Sequence, residues 1–484
     1  MSFPAVSERT GHGLTPTTLD GVTIRLYDTN ARQVRDFVPL TPGCVSIYLC
    51  GATVQAAPHI GHIRSGLNFD IMQRWFRHRG YDVTFIRNVT DIDDKILRKA
   101  ADQGRPWWSI GYENERAFSS GYDVLGCMPP TYEPRATGHV PEMIEMMRGL
   151  IENGHAYVAE GNVYFDVRSF PGYLELSNQE LDNLRAAEGE VDTGKRDRRD
   201  FAMWKAVKPG EPSWETPWGR GRPGWHLECS AMAHKYLGGV FDIHGGGIDL
   251  IFPHHENEIA QSKAYGDEFA RYWVHNAWVT MSGEKMSKSL GNSVLVSEMV
   301  QRWRPIVLRY YLGTPHYRSM IEYSEEALRE AESAFARIEG FVQRVVEKAG
   351  HVEAAAEVPP AFAEAMNDDL GVPQALAVVH TTVRQGNSAL TADDKETAVA
   401  RLAEVRAMLG VLGLDPLDPH WTGADRGDDL HGVVDSLVQL VLEQRQSARS
   451  RKDYGTADAI RDQLVQAGLE IEDTPTGSRW TLRG

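Results

Sequence analysis

A chain of 484 residues with 42% hydrophobic and 24% charged residues has an ordinary globular composition, which excludes collagenous, disordered and disulfide-stapled classes and calls for several domains. Its 51 basic residues against 67 acidic ones leave a formal charge of −16, excluding a surface that binds nucleic acid everywhere while leaving room for a local basic face. Four cysteines, Cys44, Cys50, Cys127 and Cys229, with no Cys-x-x-Cys spacing, are too few for a disulfide framework and fit a reducing, cytoplasmic setting.

Met1 to Asp20 is a polar mixture without the apolar run of a signal peptide, and the chain nowhere offers the roughly 18 consecutive apolar residues of a membrane span. Val45 to Cys50 and Val83 to Arg87 read as strands, with a helix from Asn68 to Arg79 between them. Strand, turn, helix and strand predict a βαβ unit of a doubly wound parallel sheet, an α/β fold that binds ligands at the carboxyl ends of its strands. Pro141 to Asn153 has helical spacing, and Ala156–Ala159 and Val163–Val167 flank a turn like a hairpin. That insertion leads into a charged stretch, Lys195 to Asp200, and a Pro/Trp/Gly-rich one, Pro209 to Trp225; the parallel-sheet pattern resumes near Phe241 to His244.

Beyond Ser324 the chain reads as helical: Glu325 to Lys348, Pro373 to Arg384 and Asp393 to Leu409. A linker rich in Pro, Gly and Asp runs from Gly413 to Gly427. Helices over Val433–Arg449 and Thr456–Ala467 follow, then strands around Leu469–Glu472 and Arg479–Leu482 with a turn from Thr474 to Ser478. From Val441 to Gly484, seven basic residues balance seven acidic ones; a neutral tail on an acidic chain points weakly to an anionic partner.

Two runs carry chemistry. His59-Ile60-Gly61-His62 sits where strand gives way to helix, so free N–H groups, a positive dipole end and two imidazoles would hold a polyphosphate. Lys285-Met286-Ser287-Lys288-Ser289 places two ammonium groups three residues apart on a glycine-containing loop, suited to charge that develops on a leaving pyrophosphate. Either run alone also fits an ordinary surface loop. Between Trp225 and Glu258, 34 residues hold five of the 17 histidines plus Cys229. His254 and Glu258 share a face if their segment is helical, so Cys50, Cys229, His254 and Glu258 form a candidate Zn²⁺ set, alongside the alternative of buried cysteines and hydrogen-bonded histidines. His255-Glu256 does not fit a zinc protease, because Ile259 stands where a second histidine is needed. Asp91, Asp93 and Asp94 read as a helix start rather than a Mg²⁺ site.

In this order and roughly 225 residues apart, the two runs resemble the paired signatures of class I aminoacyl-tRNA synthetases. More of the chain is similar to the cysteinyl-tRNA synthetases: Tyr48-Leu49-Cys50-Gly51, Arg87 to Lys95, Pro223 to Ser230 and Phe252 to Glu258. The resemblance covers about Ile24 to the C-terminus. It implies one Zn²⁺ per chain on those four residues, Mg²⁺ with ATP, and L-cysteine and tRNA(Cys) as substrates. It implies that His59, His62, Lys285 and Lys288 stabilise phosphate charge. Gly51, Thr90 and Asp249 would line the amino-acid pocket, Asp249 holding the α-ammonium, while Trp225 and His244 close over the cysteine. Cysteinyl adenylate would form first, and its cysteinyl group would pass to the terminal ribose, at the 2′-hydroxyl in class I enzymes.

The expected domains are an N-terminal extension (1–20), a Rossmann-type catalytic domain in two halves (21–135 and 223–292) around an insertion (136–222), a stem-contact and helical domain (293–412), a linker (413–427) and a small α+β module for the anticodon region (428–484). Two other readings stand beside this one. A cysteine ligase of mycothiol biosynthesis shares the catalytic half but uses an amino-sugar acceptor, and a non-catalytic paralogue would bind tRNA only.

Overall fold

The computed structural model describes residues 23–181, 194–286, 293–424, 426–474 and 477–482. A hairpin of β1 (Arg25–Asp28) and β2 (Gln33–Asp36) precedes the main sheet. Strand β3 (Cys44–Leu49) lies at its centre, parallel to β4 (Asp82–Arg87) on one side and to β9 (Val240–Gly247) on the other, with β10 (Phe269–Asn276) beyond β9. Val45, Ile47, Tyr48 and Leu49 are all buried, as expected for a parallel strand covered on both faces, so β3 reads as an apolar run rather than an alternation. The registers Leu49↔Arg87, Leu49↔Gly245 and Asn276↔Gly247 bring the carboxyl ends together. The predicted strand closes one residue early, and Cys50 is the first residue beyond it.

Helix α1 (Ile60–His78) connects β3 to β4. It starts eight residues before the predicted helix. His59 and His62 cap each other, which lets the first turn form without a Ser, Thr or Asp. After β4 come α2 (Asp94–Gln103), α3 (Trp107–Val124) and α4 (Val140–Glu152). The predicted hairpin is half of a larger antiparallel sheet: β5 (Ala156–Ala159), β6 (Asn162–Phe165), β7 (Phe201–Ala206) and β8 (Gly221–Pro223) in sequential order. The chain returns through α5 (Trp225–Leu237), β9, an irregular helical segment over Ile251–His255, α6 (Glu256–Tyr265) and β10.

Short strands β11 (Val279–Met281), β12 (Glu284–Lys285) and β13 (Ile321–Glu322) make a three-stranded sheet with β11 in the middle. Helices α7 (Val296–Met299) and α8 (Pro305–Gly313) lie between β12 and β13, and α9 (Glu325–Ala349), α10 (Pro360–Asn367), α11 (Val372–Thr391) and α12 (Lys395–Leu412) follow. Contacts divide the chain into units Met1–Asp415 and Pro416–Gly484. The second unit holds α13 (Pro419–Ala424), α14 (Arg426–Ser450), α15 (Tyr454–Gln466) and a hairpin of β14 (Leu469–Thr474) and β15 (Gly477–Leu482). Its small core gathers Val438, Leu442, Leu464 and Leu469, and Trp480 Nε1 donates to Asp435 Oδ1 at 2.8 Å. Much of the stretch expected as linker is therefore helical. Part of the predicted Thr474–Ser478 turn lies outside the described residues. No described helix is long and apolar enough to cross a membrane.

Candidate active site

Three elements bring the predicted metal donors together: Cys50 follows β3, Cys229 sits inside α5, and His254 and Glu258 flank the start of α6. Cys50 Sγ lies 3.6 Å from Cys229 Sγ and 3.3 Å from Glu258 Oε1, and His254 Nε2 is 3.0 Å from the same carboxylate oxygen. One ligand atom from each lies within 4.8 Å of all the others, and all four residues are buried. A second grouping within the same limit is Cys50, His244, His255 and Glu258. His244 Nε2 contacts the other Glu258 oxygen at 2.8 Å and His255 Nδ1 is engaged with His275 Nε2 at 2.7 Å, while His244 Nδ1 and His255 Nε2 are buried with no hydrogen-bond partner among the described residues. The first grouping differs in offering a second sulfur, Cys229 Sγ. Two sulfurs, one imidazole and one carboxylate are the donor chemistry that suits zinc.

Burial pushes the Cys229 thiol up to about 11 and the Cys50 thiol well above its ordinary value, and pushes the His254 imidazole well down. Left to themselves these donors stay neutral, and a divalent cation reverses that preference for a thiol. His226 Nδ1 is 2.9 Å from His254 Nδ1, which leaves His254 Nε2 turned toward Glu258. Trp225 stacks on the His254 ring, centroids 4.2 Å apart.

The second part of the site begins at the cap of α1. His59 Nδ1 accepts from His62 N, His62 Nδ1 accepts from His59 N, both at 3.3 Å, and the rings stack 3.6 Å apart. The run that reads as phosphate-binding is thus a self-capped helix start. Lys285 ends β12 with its ammonium 2.6 Å from Asp249 Oδ2 and 5.0 Å above the Trp278 ring. Burial pushes the Asp249 carboxyl up, but Lys285 and the Trp278 N–H outweigh it and hold the group below its usual range. Lys288 lies outside the described residues.

One cavity of 530 Å³ joins the two parts and is lined by Cys50, Gly51, His59, His62, Trp225, Asp249 and Lys285. Thr90 and His244 stand behind that lining: both are buried, and the Thr90 hydroxyl donates to Glu228 Oε2 at 2.9 Å. Four further lining residues, Lys95, Lys99, Tyr122 and Trp278, were not singled out by the sequence. The two lysines stand four apart on α2, and Lys95 closes the Arg87-to-Lys95 run, which was the available signal. The acidic run is structural. Asp93 caps α2 by accepting from Lys95 N, Asp91 accepts from Thr137 N at 2.9 Å, and Asp94 pairs with Lys205 and Arg222.

Residues 36–333 match the family model described as the class I (C) tRNA synthetase catalytic domain, so fold and site together define a class I aminoacyl-tRNA synthetase. Residues 361–416 match a DALR domain and 433–480 the cysteinyl-tRNA ligase anticodon binding domain. A cysteine–tRNA ligase of Streptomyces griseus is 85% identical over 463 residues, covering 95% of this chain and 99% of the relative; that of Streptomyces coelicolor is 82% identical, covering 95% and 76%. The chain belongs to the cysteine–tRNA ligase family. In fold it also resembles the methionyl-tRNA synthetase of Mycobacterium tuberculosis solved with methionyl-adenylate (TM-score 0.57, 17% identity, covering 80% of this chain and 93% of that one). A leucyl-tRNA synthetase of Agrobacterium radiobacter gives a TM-score of 0.58 at 11% identity, covering 80% and 86%.

Proposed function

We propose that the chain activates L-cysteine with ATP and charges tRNA(Cys) through the residues assembled around this cavity, acting in the cytoplasm. A carboxylate oxygen of cysteine attacks the α-phosphorus, the bond to the bridging oxygen breaks, and pyrophosphate leaves with the electron pair. The N–H groups at the start of α1, with His59 and His62, bind the phosphates, and Lys285 and Lys288 take up charge as pyrophosphate departs, so the work is positioning and electrostatics. Mg²⁺ accompanies ATP. In the second step the ribose 2′-hydroxyl attacks the carbonyl carbon, AMP leaves with the electron pair of the anhydride bond, and the hydroxyl proton is released.

Cys50, Cys229, His254 and Glu258 would hold zinc. When bound, zinc supplies a soft Lewis acid that a thiol ligates much better than the hydroxyl of serine does. Gly51 lets the substrate approach the backbone, Asp249 receives the α-ammonium, and Trp225 covers the donors. His244 acts from behind by orienting Glu258, and Thr90 by engaging Glu228.

The observation that carries this reading is one cavity lined by Cys50, a member of the buried Cys/Cys/His/Glu cluster, and by the His59/His62 cap and Lys285. The match of residues 433–480 supports tRNA as the acceptor over an amino sugar. ATP–pyrophosphate exchange tests it: exchange dependent on cysteine, not serine, by protein holding one zinc per chain is expected. Equal exchange with serine, or full exchange by zinc-free protein, would sink the metal assignment.

A further inference from the structure

Arg64 is fully buried on α1, one turn beyond the His59/His62 cap. Its partners are backbone carbonyls. Nη1 donates to Ala277 O at 2.9 Å and Trp278 O at 3.0 Å, and Nη2 to Ser319 O at 2.6 Å and His316 O at 3.2 Å. Nε has no partner among the described residues. A buried guanidinium facing only carbonyl oxygens is costly to keep, and burial lowers it to about 10.

The four carbonyls mark one structure. Ala277 and Trp278 lead into β11, and His316 and Ser319 lead into β13, its parallel neighbour. Beside Arg64, Ser65 Oγ donates to Asn276 Oδ1 at 2.8 Å, and a Cβ on Gly61 would lie 3.9 Å from Val279 Cβ. The far root of the Lys285 loop returns to the start of α1, with Ile60 N donating to Val294 O and Val296 N to Pro58 O. The Trp278 ring supports the Lys285 ammonium, and its N–H donates to Asp249 Oδ1 at 3.0 Å.

We propose that Arg64 is a positioning residue for adenylate formation: by gripping the segments that lead into β11 and β13, it fixes Lys285 at its working distance from the His59/His62 cap. The inference rests on the phosphate-binding roles given above to His59, His62 and Lys285. Arg64 touches no reacting atom. Its contribution is registration between two elements far apart in sequence, where an error of about 1 Å costs on the order of 10²-fold in rate. The candidate metal donors sit just after β3, within α5 and on either side of the start of α6, outside this grip, so zinc and cysteine binding should not follow it.

The test uses full-length zinc-loaded protein and the variants Arg64→Lys, Arg64→Gln and Arg64→Met. The readout is single-turnover adenylate formation per active site, normalised by the burst of adenylate so that misfolded protein does not count. Arg64→Lys should lose about 10- to 10²-fold in that rate while zinc content stays at one per chain and the KM for cysteine stays within about twofold. Arg64→Gln and Arg64→Met should lose more. Lys285→Ala, run in parallel, separates the two readings. If it keeps its rate, the loop assignment fails; if it loses its rate while Arg64→Lys does not, only the role given to Arg64 fails. A normal rate per active site in any Arg64 variant, a fall in rate matched by a fall in cysteine affinity and zinc, or failure of all three variants to fold would overturn the positioning role.

Discussion

Gly51 has no room for a methyl group, since a Cβ there would stand 1.7 Å from the Asn88 carbonyl oxygen. Gly51→Ala must displace the turn that carries Cys50, so we expect a loss of about 1–3 kcal/mol in urea unfolding together with weaker zinc retention against a chelator. Cys229→Ala removes one of the two sulfurs. It should lose zinc and cysteine activation together, and metal analysis finding stoichiometric zinc with normal exchange would contradict the donor set. Lys288→Ala, by contrast, should slow single-turnover activation by about 10² to 10³ through loss of charge on the departing pyrophosphate. Its zinc content and its preference for cysteine over serine should be unchanged, because neither depends on that loop.

Among elements, α1 carries a buried ion contact near its middle. Asp70 pairs with Arg309 of α8 at 2.5 Å and with Arg74 at 2.8 Å, and Arg309 also donates to Leu412 O at the end of α12. Burial pushes the Asp70 carboxyl up, but the two guanidinium groups outweigh it and hold it below its ordinary value. A carboxyl lowered in the folded state stabilises fully above its unfolded pKa of about 3.9, and that contribution fades as pH falls through the folded value. Asp70→Asn should therefore cost about 3–5 kcal/mol near neutral pH by stranding Arg309. The gap in denaturant midpoint from the parent protein should hold steady from pH 7 to about 5 and begin to narrow as pH falls from about 5 to 3.

The helices after Ser324 were legible because their apolar spacing repeats over many turns, and Glu325–Ala349 matches its expected range to one residue. The start of α1 was not, because histidines are rare as caps and the capping interaction is reciprocal between two of them. Residue type and resemblance were enough to name Cys50, Cys229, His254 and Glu258 as a candidate set, and the fold brings these four together. Nothing local in the sequence could show that Thr90 and His244 stand behind the cavity, or that Arg64 spans to His316 and Ser319, since these facts depend on packing between distant segments. Strands β7 and β8 were hidden for a similar reason: each is completed by pairing across the charged and Pro/Trp/Gly-rich stretches.

At the scale of the molecule, every described residue of the proposed chemistry precedes Asp415, which closes the first unit through a buried pair with Arg406 at 2.9 Å. A chain ending near Pro416 should keep ATP–pyrophosphate exchange and lose efficiency in charging tRNA, measured as kcat/KM for tRNA. Unchanged charging would give the second unit another task. The affinity of the full chain for tRNA should fall linearly in log–log form as salt rises, because phosphate contacts release counterions.

The central position of β3 also sets an order of events during synthesis. Its neighbour β4 emerges early, but its other neighbour, β9, pairs through Tyr48↔His244 and is made only after the whole insertion. Until then a nascent chain carries an apolar strand with one bare edge, the state most prone to mispairing and to capture by chaperones. The distant partner also raises the contact order and slows closure of the sheet. Fragments halted just before Val240 should be cut readily by protease within Cys44–Leu49, whereas fragments extended beyond Asn276 should resist cleavage there.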